Sequence, residues 1–282
     1  MPACWLINDQ VHDLTVRGWI MGVLNVTPDS FSDGGKFPDA QLAADHALKM
    51  LADGADVIDI GGGSTRPGAQ SVPLDVELQR VLPVIKSLRQ QTGALISIDT
   101  MKPEVARAAL DAGADIINDV SGLRDPRMIE VAAQNRAGII VMHMQGTPGT
   151  MQASPHYENV VVEVRAFFEE RLRTLDAAGI GPQRIALDPG IGFGKTLPHN
   201  LELLRNMHHL KVEDRPLVVG VSRKSLIARL LGQDDMNLRF WPAVALTAWL
   251  RDAGAHVLRV HDVKPNAQAL RMVEAINSCP EK

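Results

Sequence analysis

Side chains with ligand-capable oxygens are concentrated just after the first apolar run of the chain. Gly22, Val23 and Leu24 suit a buried parallel strand, and a long polar stretch follows them instead of a helix. Six such side chains fall within nine positions: Asn25, Thr27, Asp29, Ser30, Ser32 and Asp33. A plain connection would be shorter and less polar, so we expect this stretch to bind a ligand.

A polar side chain ends, or directly follows, each of eight short apolar runs along the chain. These residues are Asn25, Asp59, Asp99, Asn118, His143, Asp188, Ser222 and His261. If the runs are parallel strands of one barrel, their polar ends meet at one rim, where such barrels carry their active sites. The pattern therefore predicts a polar binding site at that rim.

The last quarter of the chain carries groups that suit an anionic ligand. Arg259 and His261 are two residues apart on the last predicted strand, so both side chains point to one face. Residues 222–225, SRKS, open a predicted helix, whose free N–H groups and dipole favour anions. With Arg66 these groups predict an anion site, and surface salt bridges are the alternative.

Two motifs suggest functions that their spacing does not support. Residues 190–196, GIGFGKT, look like a phosphate-binding P-loop, but Pro189 replaces the glycine required five positions before Gly194. The glycines instead predict backbone that approaches a flat ligand beside Phe193. His143 has no partner at zinc-site spacing, so we interpret it as a strand-end histidine with satisfied hydrogen bonds.

The elements that must position these residues follow a repeated pattern of strand, polar tip and helix. The predicted strands are 20–24, 57–60, 95–98, 116–118, 139–142, 185–187, 217–220 and 257–260. Amphipathic segments between them include 40–52, 74–89, 103–112, 160–178 and 243–253. Eight such units predict an α/β fold of the TIM (β/α)8 barrel type, with a doubly wound open sheet as the alternative.

Composition indicates one large α/β domain with an aliphatic core: the 282 residues are 45% hydrophobic and only 4% aromatic, without a linker or low-complexity tract. We therefore predict a single domain over 1–282, with a small N-terminal hairpin at 5–18. The net charge of −4 argues against nucleic acid or an anionic membrane as main partner. The absence of an apolar leader and the two distant cysteines, Cys4 and Cys279, predict a cytoplasmic protein.

The motifs at the strand ends resemble those of dihydropteroate synthase, a pterin-binding barrel family of folate biosynthesis. The resemblance runs from Met21 to about Val273. Its blocks are GVLNVTPDSFSDGG at 22–35, GGGSTRPGA at 61–69, SIDTMKPEVA at 97–106, INDVSG at 117–122, MHMQGTP at 142–148, LDPGIGFGK at 187–195, GVSRKS at 220–225 and RVHDV at 259–263. Their order and spacing on successive predicted strands agree with the family.

The resemblance implies condensation of a dihydropterin methyl diphosphate with p-aminobenzoate, which gives dihydropteroate and pyrophosphate with the assistance of Mg²⁺. It implies a dissociative substitution, and the chain lacks a convincing Ser-His-Asp or Cys-His arrangement for nucleophilic catalysis. It also implies a homodimer, with residues 244–250 as a candidate interface or as a buried core helix, and sulfonamides as competitors of p-aminobenzoate.

The resemblance also implies roles for individual residues in a pterin pocket. Asp188 and Asn118 would pair with the pyrimidine edge, and Asp99 would hold the N–H side of the reduced ring. Lys224 would meet the carbonyl and ring nitrogen. The implied contacts of the pterin diphosphate are Thr65, Asp99, Asn118, Val120, Met142, Asp188, Phe193, Gly220, Lys224, Arg259 and His261.

The same resemblance implies which residues take part in the reaction and which contact the second substrate, p-aminobenzoate. The implied catalytic set is Asp99, Lys224, Arg259 and His261, and Asn25 would contact Mg²⁺ together with the diphosphate. The loops at 26–37 and 62–71 would close over the diphosphate. The p-aminobenzoate contacts would be Phe31, Thr65, Arg66, Pro67, Lys224 and Ser225.

The sequence leaves open some alternative residue roles and alternative functions. Asp99 could be a helix N-cap, and either Asn118 or Asp119 could be a turn residue. Gly63 stands where the family usually carries Glu, and Trp241-Pro242 replaces a small pair before a late helix. A methyl-transferring relative, a non-catalytic pterin-binding paralogue and a drug-insensitive synthase are therefore alternative functions.

Overall fold

Eight parallel strands form a barrel in the computed structural model, which describes residues 2–27, 38–63 and 72–279. The barrel strands are β3 (Trp19–Asn25), β4 (Val57–Gly61), β5 (Leu95–Asp99), β6 (Ile116–Asp119), β7 (Gly138–Met142), β8 (Ile185–Asp188), β9 (Val218–Gly220) and β10 (Val257–Val260). Their order around the sheet is β8-β7-β6-β5-β4-β3-β10-β9. A parallel bridge between Leu187 and Leu217 joins β8 to β9 and closes the sheet, which confirms the barrel and excludes the open alternative.

Helices cover the outside of the barrel and return the chain between strands. They are α1 (Pro38–Ala52), α2 (Leu74–Gln91), α3 (Pro103–Asp111), α4 (Pro126–Ala133), α5 (Val160–Ala177), α6 (Leu197–Arg205), α7 (Ser225–Leu231), α8 (Phe240–Asp252) and α9 (Val263–Asn277). Pro103 and Pro126 begin their helices, where the missing N–H costs nothing. Gly54 and Gly113, both at a φ of +108°, reverse the chain after a helix so that the next strand can start.

The N-terminal hairpin covers the bottom of the barrel. Its strands are β1 (Cys4–Ile7) and β2 (Gln10–Asp13), joined by Asn8 and Asp9 at φ values of 47° and 64°, the conformation of a type I′ turn. The hairpin is present as predicted, but it is shorter than 5–18. Thr15 donates its backbone N–H to Asp13 Oδ1 over 2.9 Å, and this turn ends the second strand.

Two apolar cores lie on opposite sides of the barrel wall. The larger core fills the space between the sheet and the helices. The smaller core fills the lower interior and joins the hairpin to inward-facing strand residues: Trp5, Ile7, Leu14, Trp19, Met21, Val57, Ile116, Ile140, Ala186, Val218 and Val257. The apolar lower interior leaves only the upper layer of the barrel for polar side chains.

Candidate active site at the carboxyl end of the barrel

Strand alternation brings the predicted polar residues into the upper layer of the barrel. Side chains of a strand alternate between its two faces, so the residue two positions after an inward-facing apolar residue also points inward. Asp59 follows Val57, Asn118 follows Ile116 and Arg259 follows Val257 in this way, and each first member lies in the lower core. The register also pairs Asp99 with Asn118 on neighbouring strands.

Arg259 is the cationic centre of this layer. Its Nε donates to Asp59 Oδ2 over 2.6 Å, and its Nη2 donates to Asp99 Oδ2 over 2.7 Å. Asp59 is fully buried, so the guanidinium offsets the cost of burying that carboxylate. Arg259 thus connects β4, β5 and β10, and the two carboxylates raise the pKa of its guanidinium.

Asp99 has an unsatisfied oxygen at the same place. Its Oδ1 is buried and accepts no hydrogen bond from the part of the chain that the structure describes. Burial raises the pKa of Asp99 to about 7, against the opposing effect of Arg259. Its carboxylate binds Arg259, and Lys102 is the N-cap of α3, so the N-cap alternative for Asp99 is wrong.

Asn118 and Asp119 have separate roles. The Asn118 side chain donates through Nδ2 to both carboxylate oxygens of Asp59, at 3.2 and 3.3 Å. Asp119 accepts from the backbone N–H groups of Ser121 and Leu123 at 2.7 and 3.0 Å. Asp119 is therefore the turn residue, and Asn118 belongs to the interior site.

Asp188 and Lys224 form the opposite side of the site. Burial raises the pKa of Asp188, and the nearby Lys224 ammonium lowers it again. Burial also lowers the pKa of Lys224 to about 8. The Lys224 ammonium donates to the carbonyl of Ile191 and lies 4.7 Å from the ring centroid of Phe193, a cation–π contact.

A small apolar cluster adjoins these polar groups. Val120, Met142, Met144 and Met151 are buried together, and Phe193 packs against them half-exposed. The three residues expected at the faces of a pterin, Val120, Met142 and Phe193, are thus in one cluster. Apolar side chains beside a few convergent polar groups are the usual lining of a site for a flat heterocycle.

The expected anion-binding groups lie on the neighbouring strands. His261 Nδ1 is 3.1 Å from Ser222 Oγ, and Arg223 is paired with Asp262 at 2.9 Å. Gly220 pairs with Arg259 in the register of β9 and β10. The expectation that residues 222–225 open a helix is wrong for its first part, because Arg223 has a φ of 60° and α7 starts only at Ser225. Ser225 is exposed.

Asn25 is the residue with the chemistry expected of a Mg²⁺ contact. It ends β3, is half-exposed and presents a carboxamide oxygen, a ligand type that Mg²⁺ accepts. In the described ranges no three His, Cys, Asp or Glu residues gather as a metal site. The residues present therefore fit a Mg²⁺ ion that one protein oxygen and a bound diphosphate would share.

Four of the predicted p-aminobenzoate contacts, Phe31, Thr65, Arg66 and Pro67, lie outside the described residues, as do most positions of the loops at 26–37 and 62–71. The expected closure of these loops stays a prediction.

His143 has the satisfied environment expected of it. Its Nδ1 lies 3.0 Å from Lys195 Nζ, and its ring packs edge-on against Phe167 at 5.0 Å between centroids. Burial lowers the pKa of His143 to about 2, so the ring is neutral at physiological pH.

Sequence reasoning missed two residues of the site. Asp59 was noted as a strand-end residue but was given no role, although a carboxylate inside the apolar strand VIDIG is unusual and signals an interior partner. Lys195 belongs to the motif at 190–196 that looks like a P-loop, and the sequence assigns it no role. Its side chain is buried at 1% exposure, and no local pattern distinguishes it from a surface lysine.

The comparisons with known proteins agree with this geometry. The sequence profile of the family described as "Pterin binding enzyme" matches residues 21–261. The dihydropteroate synthase of Synechocystis sp. is 46% identical over 271 residues, which cover 96% of this chain and 94% of that protein.

Solved structures of the same enzyme superpose over almost the whole chain. Dihydropteroate synthase of Xanthomonas albilineans with 4-aminobenzoic acid has a TM-score of 0.91 at 42% identity, covering 99% of this chain and 100% of that one. The Yersinia pestis enzyme in a sulfonamide drug complex also has a TM-score of 0.91 at 42% identity, with coverage of 98% and 100%. The Burkholderia cenocepacia enzyme complexed with 7,8-dihydropteroate has a TM-score of 0.89 at 39% identity, with coverage of 98% and 97%.

The family profile covers most of the chain, and the solved relatives share its fold over almost the whole length. This chain belongs to the pterin binding enzyme family and, within it, to the dihydropteroate synthases.

Proposed function

We propose that the chain joins a dihydropterin methyl diphosphate to p-aminobenzoate and releases pyrophosphate. The observation that carries this proposal is the upper layer of the barrel, where Asp99, Asn118, Asp188 and Lys224 share one end of the barrel with the apolar cluster, and Lys224 contacts its member Phe193. Carboxylates, an amide and an ammonium match the alternating donors and acceptors of a pterin edge. The relatives with 4-aminobenzoic acid and 7,8-dihydropteroate support the choice of substrate and product.

The pterin is held by groups that the fold has already positioned. Asp188 accepts from donors on the pyrimidine edge, and Asn118 pairs beside it. Lys224 donates to the carbonyl and a ring nitrogen. The unsatisfied Asp99 Oδ1 accepts from the N–H side of the reduced ring, which would give that buried oxygen its missing partner.

The reaction breaks the bond between the exocyclic methylene carbon and the diphosphate oxygen. The bonding electron pair leaves with the diphosphate, and a ring nitrogen lone pair stabilises the cationic methylene. The neutral amine of p-aminobenzoate then attacks the carbon and loses a proton. The Asp99 carboxylate stabilises the positive charge on the ring, and no protein nucleophile is needed.

Groups around β9 and β10 stabilise the departing diphosphate. Among the described residues, Arg259 pairs through Nε and Nη2 with Asp59 and Asp99, and its Nη1 would serve a ligand. His261 and Ser222 add hydrogen-bond donors at the same rim. Asn25 would hold a Mg²⁺ ion together with the diphosphate, and the bound ion would neutralise charge on the leaving group.

The proposal also includes a p-aminobenzoate site and its inhibition. We assign the second substrate to Phe31, Thr65, Arg66, Pro67, Lys224 and Ser225. Sulfonamides would compete there, as supported by the sulfonamide complex of the Yersinia pestis relative.

We further propose a homodimer formed by α8 and α9. The inner face of α8 is buried through Ala243, Thr247 and Leu250. Its outer face exposes Trp241 at 72% and Trp249 at 55%, and Met272 and Ile276 are exposed on α9 at 64% and 65%. Large apolar side chains clustered at a surface favour burial against another chain.

We also propose that the protein is cytoplasmic. Cys4 and Cys279 are free thiols near the two ends of the chain, as is usual in a reducing compartment. Among the described helices, none is long and apolar enough to span a bilayer.

The decisive experiment is product formation by the purified chain from the dihydropterin diphosphate and p-aminobenzoate, with Mg²⁺ and with a chelator. We expect dihydropteroate that depends on Mg²⁺. Tight pterin binding without product would favour the non-catalytic paralogue, for which Gly63 is the motivating residue. Methyl transfer from a methylated folate would favour the methyl-transferring relative, which has no use for the anion-binding groups.

A further inference from the structure

Lys195 is a buried cation without a carboxylate partner among the residues that the structure describes. Its Nζ lies 3.0 Å from His143 Nδ1 and 3.0, 3.1 and 3.3 Å from the carbonyl oxygens of Phe193, Gly190 and His143, so its three N–H bonds are shared among these neighbours. Burying an ammonium without an ion pair is costly, and burial lowers the pKa of Lys195 to about 7. A hydrophobic side chain would avoid this cost if only packing were required.

The carbonyls that Lys195 binds belong to the connection between β8 and α6. This connection is pressed against the end of β7, because a Cβ at Gly190, where φ is +64°, would lie 2.0 Å from the carbonyl oxygen of His143. Asp188 Oδ1 accepts from the N–H of Gly190 over 2.7 Å. The same connection carries Phe193. Its position therefore controls both a polar and an apolar contact of the proposed pterin site.

Two lysines hold this connection through its carbonyl groups. Lys224 reaches it from the site and donates to Ile191, between the Gly190 and Phe193 carbonyls that Lys195 binds. Lys224 is expected to exchange contacts when pterin binds, whereas Lys195 is only 1% exposed and keeps its contacts within the protein. Tyr157 adds a hydrogen bond of 2.8 Å from its hydroxyl to the carbonyl of Gly194.

His143 gives Lys195 a defined orientation. The neutral ring can accept from the ammonium through Nδ1 only in the tautomer that carries its hydrogen on Nε2. The ring is held edge-on to Phe167 and lies 6.0 Å from Tyr157 between centroids. The positions of the Lys195 nitrogen and of the His143 ring are therefore both set by packing before any ligand binds.

We propose that Lys195, oriented by His143, is a positioning residue of the pterin site: it fixes the connection at residues 190–194 so that Asp188 and Phe193 are preorganised for the ring. This inference rests on the proposed function and adds a residue that does not contact the substrate. Its effect reaches the reaction through binding of the pterin.

The test is the variant Lys195→Met, which keeps an unbranched side chain and removes the donors. We expect the dissociation constant for 6-hydroxymethylpterin, measured by titration calorimetry, to rise by about tenfold to a hundredfold as preorganisation is lost. The kcat/KM for the dihydropterin diphosphate should fall by a similar factor. The melting temperature should change little, because Met removes a buried charge.

Thr247→Val is the matched control, since it removes a buried hydrogen bond of 2.7 Å to Asn266 that is far along the chain from this connection. It should leave pterin affinity unchanged. A Lys195→Met chain that binds pterin as tightly as the wild type would overturn the inference. So would a loss of affinity no larger than that of Thr247→Val at equal loss of stability.

A second pair of variants serves if Lys195→Met does not fold. His143→Gln keeps an acceptor for Lys195 and should bind pterin within about threefold of the wild type, whereas His143→Leu should lose about tenfold. Equal affinities of the two variants would contradict the inference. A wild-type chain that binds no pterin would instead overturn the proposed function.

Discussion

At the scale of single residues, the site depends on one guanidinium shared by two carboxylates. Arg259 lies between Asp59 and Asp99, and only Asp99 keeps an oxygen without a partner in the described structure. Asp59 therefore serves to orient the cation and Asn118, whereas Asp99 is available to a ligand. This division of roles between two carboxylates follows from their different depths in the barrel, since the register pairs Asp59 with Ser97, and Gly61 with Asp99.

The first residue-scale prediction concerns the charge of Asp99. Its pKa of about 7 means that the carboxylate is formed as the pH rises through neutrality. Because the proposed reaction needs the anion, kcat/KM for the pterin diphosphate should increase from pH 6 to pH 8. Asp99→Asn should lower kcat/KM by about a hundredfold or more and abolish this increase. The same rise in the pH profile of the variant would assign it to another group.

The second residue-scale prediction concerns Gly63. Among the described residues, a Cβ at this position would meet Val72 Cγ2 at an ordinary contact distance of 3.8 Å, so the first carbon of a side chain is accommodated there. We expect Gly63→Glu to fold with an unchanged melting temperature and to lower the KM for p-aminobenzoate, by restricting the loop that follows. Steady-state kinetics at saturating pterin diphosphate measure this. An unchanged KM would discard the hypothesis, and Gly63→Ala is the control.

At the scale of elements, each strand contributes side chains both to the apolar lower core and to the site above it. Its first inward-facing residue completes the apolar lower core, and the next one enters the site. The N-terminal hairpin closes the bottom layer, where Trp5 is fully buried and donates its indole N–H to the carbonyl of Arg184 over 2.8 Å. The apolar lower end of the barrel therefore contributes mainly to stability, and the carboxyl end of the strands carries the site.

The element-scale prediction tests this separation. Trp5→Ala should destabilise the chain by about 3–5 kcal/mol in urea denaturation, because it empties a large space in the lower core. Below the melting temperature of the variant, kcat should stay close to the wild-type value. Val11→Ala on the same hairpin is the control, since Val11 is 68% exposed. A large loss of kcat in the folded Trp5→Ala variant would show that the two layers are coupled.

At the scale of the whole molecule, the closed barrel brings distant parts of the chain together. Arg259 and Asp59 are 200 positions apart, and Arg259 and Asp99 are 160 apart. The closure that aligns them leaves the outer faces of α8 and α9 exposed. Trp241, which with Pro242 stands in place of the small pair expected from the resemblance, adds a large apolar side chain to that surface.

The whole-molecule prediction concerns association. If α8 and α9 form the dimer interface, Trp249→Glu should shift the chain from dimer to monomer in sedimentation velocity, because it places a charge within an apolar contact. Val162→Glu on α5, at an equally exposed apolar position, should leave the mass unchanged. A wild-type chain that sediments as a monomer, or a dimeric Trp249→Glu variant, would contradict the proposed interface.

Much of the fold could be read from the order of residues. Short apolar runs, turns at glycine and proline, and polar strand ends are local properties, and they predicted eight strands, the barrel and most residues of its upper layer. The resemblance of the strand-end motifs to a known family added the roles of those residues. Local patterns succeed here because side-chain direction in a strand depends only on alternation.

The partners of the polar side chains could be identified only from the tertiary structure. Four features depend on strand register and on closure between β8 and β9. They are the pairing of Asp59 with Arg259, the role of Asp119 instead of Asn118 as the turn residue, the late start of α7 at Ser225, and the burial of Lys195 against His143. The physical reason is that a charged side chain selects its partner by distance and burial, and both are properties of the closed barrel that no single segment contains.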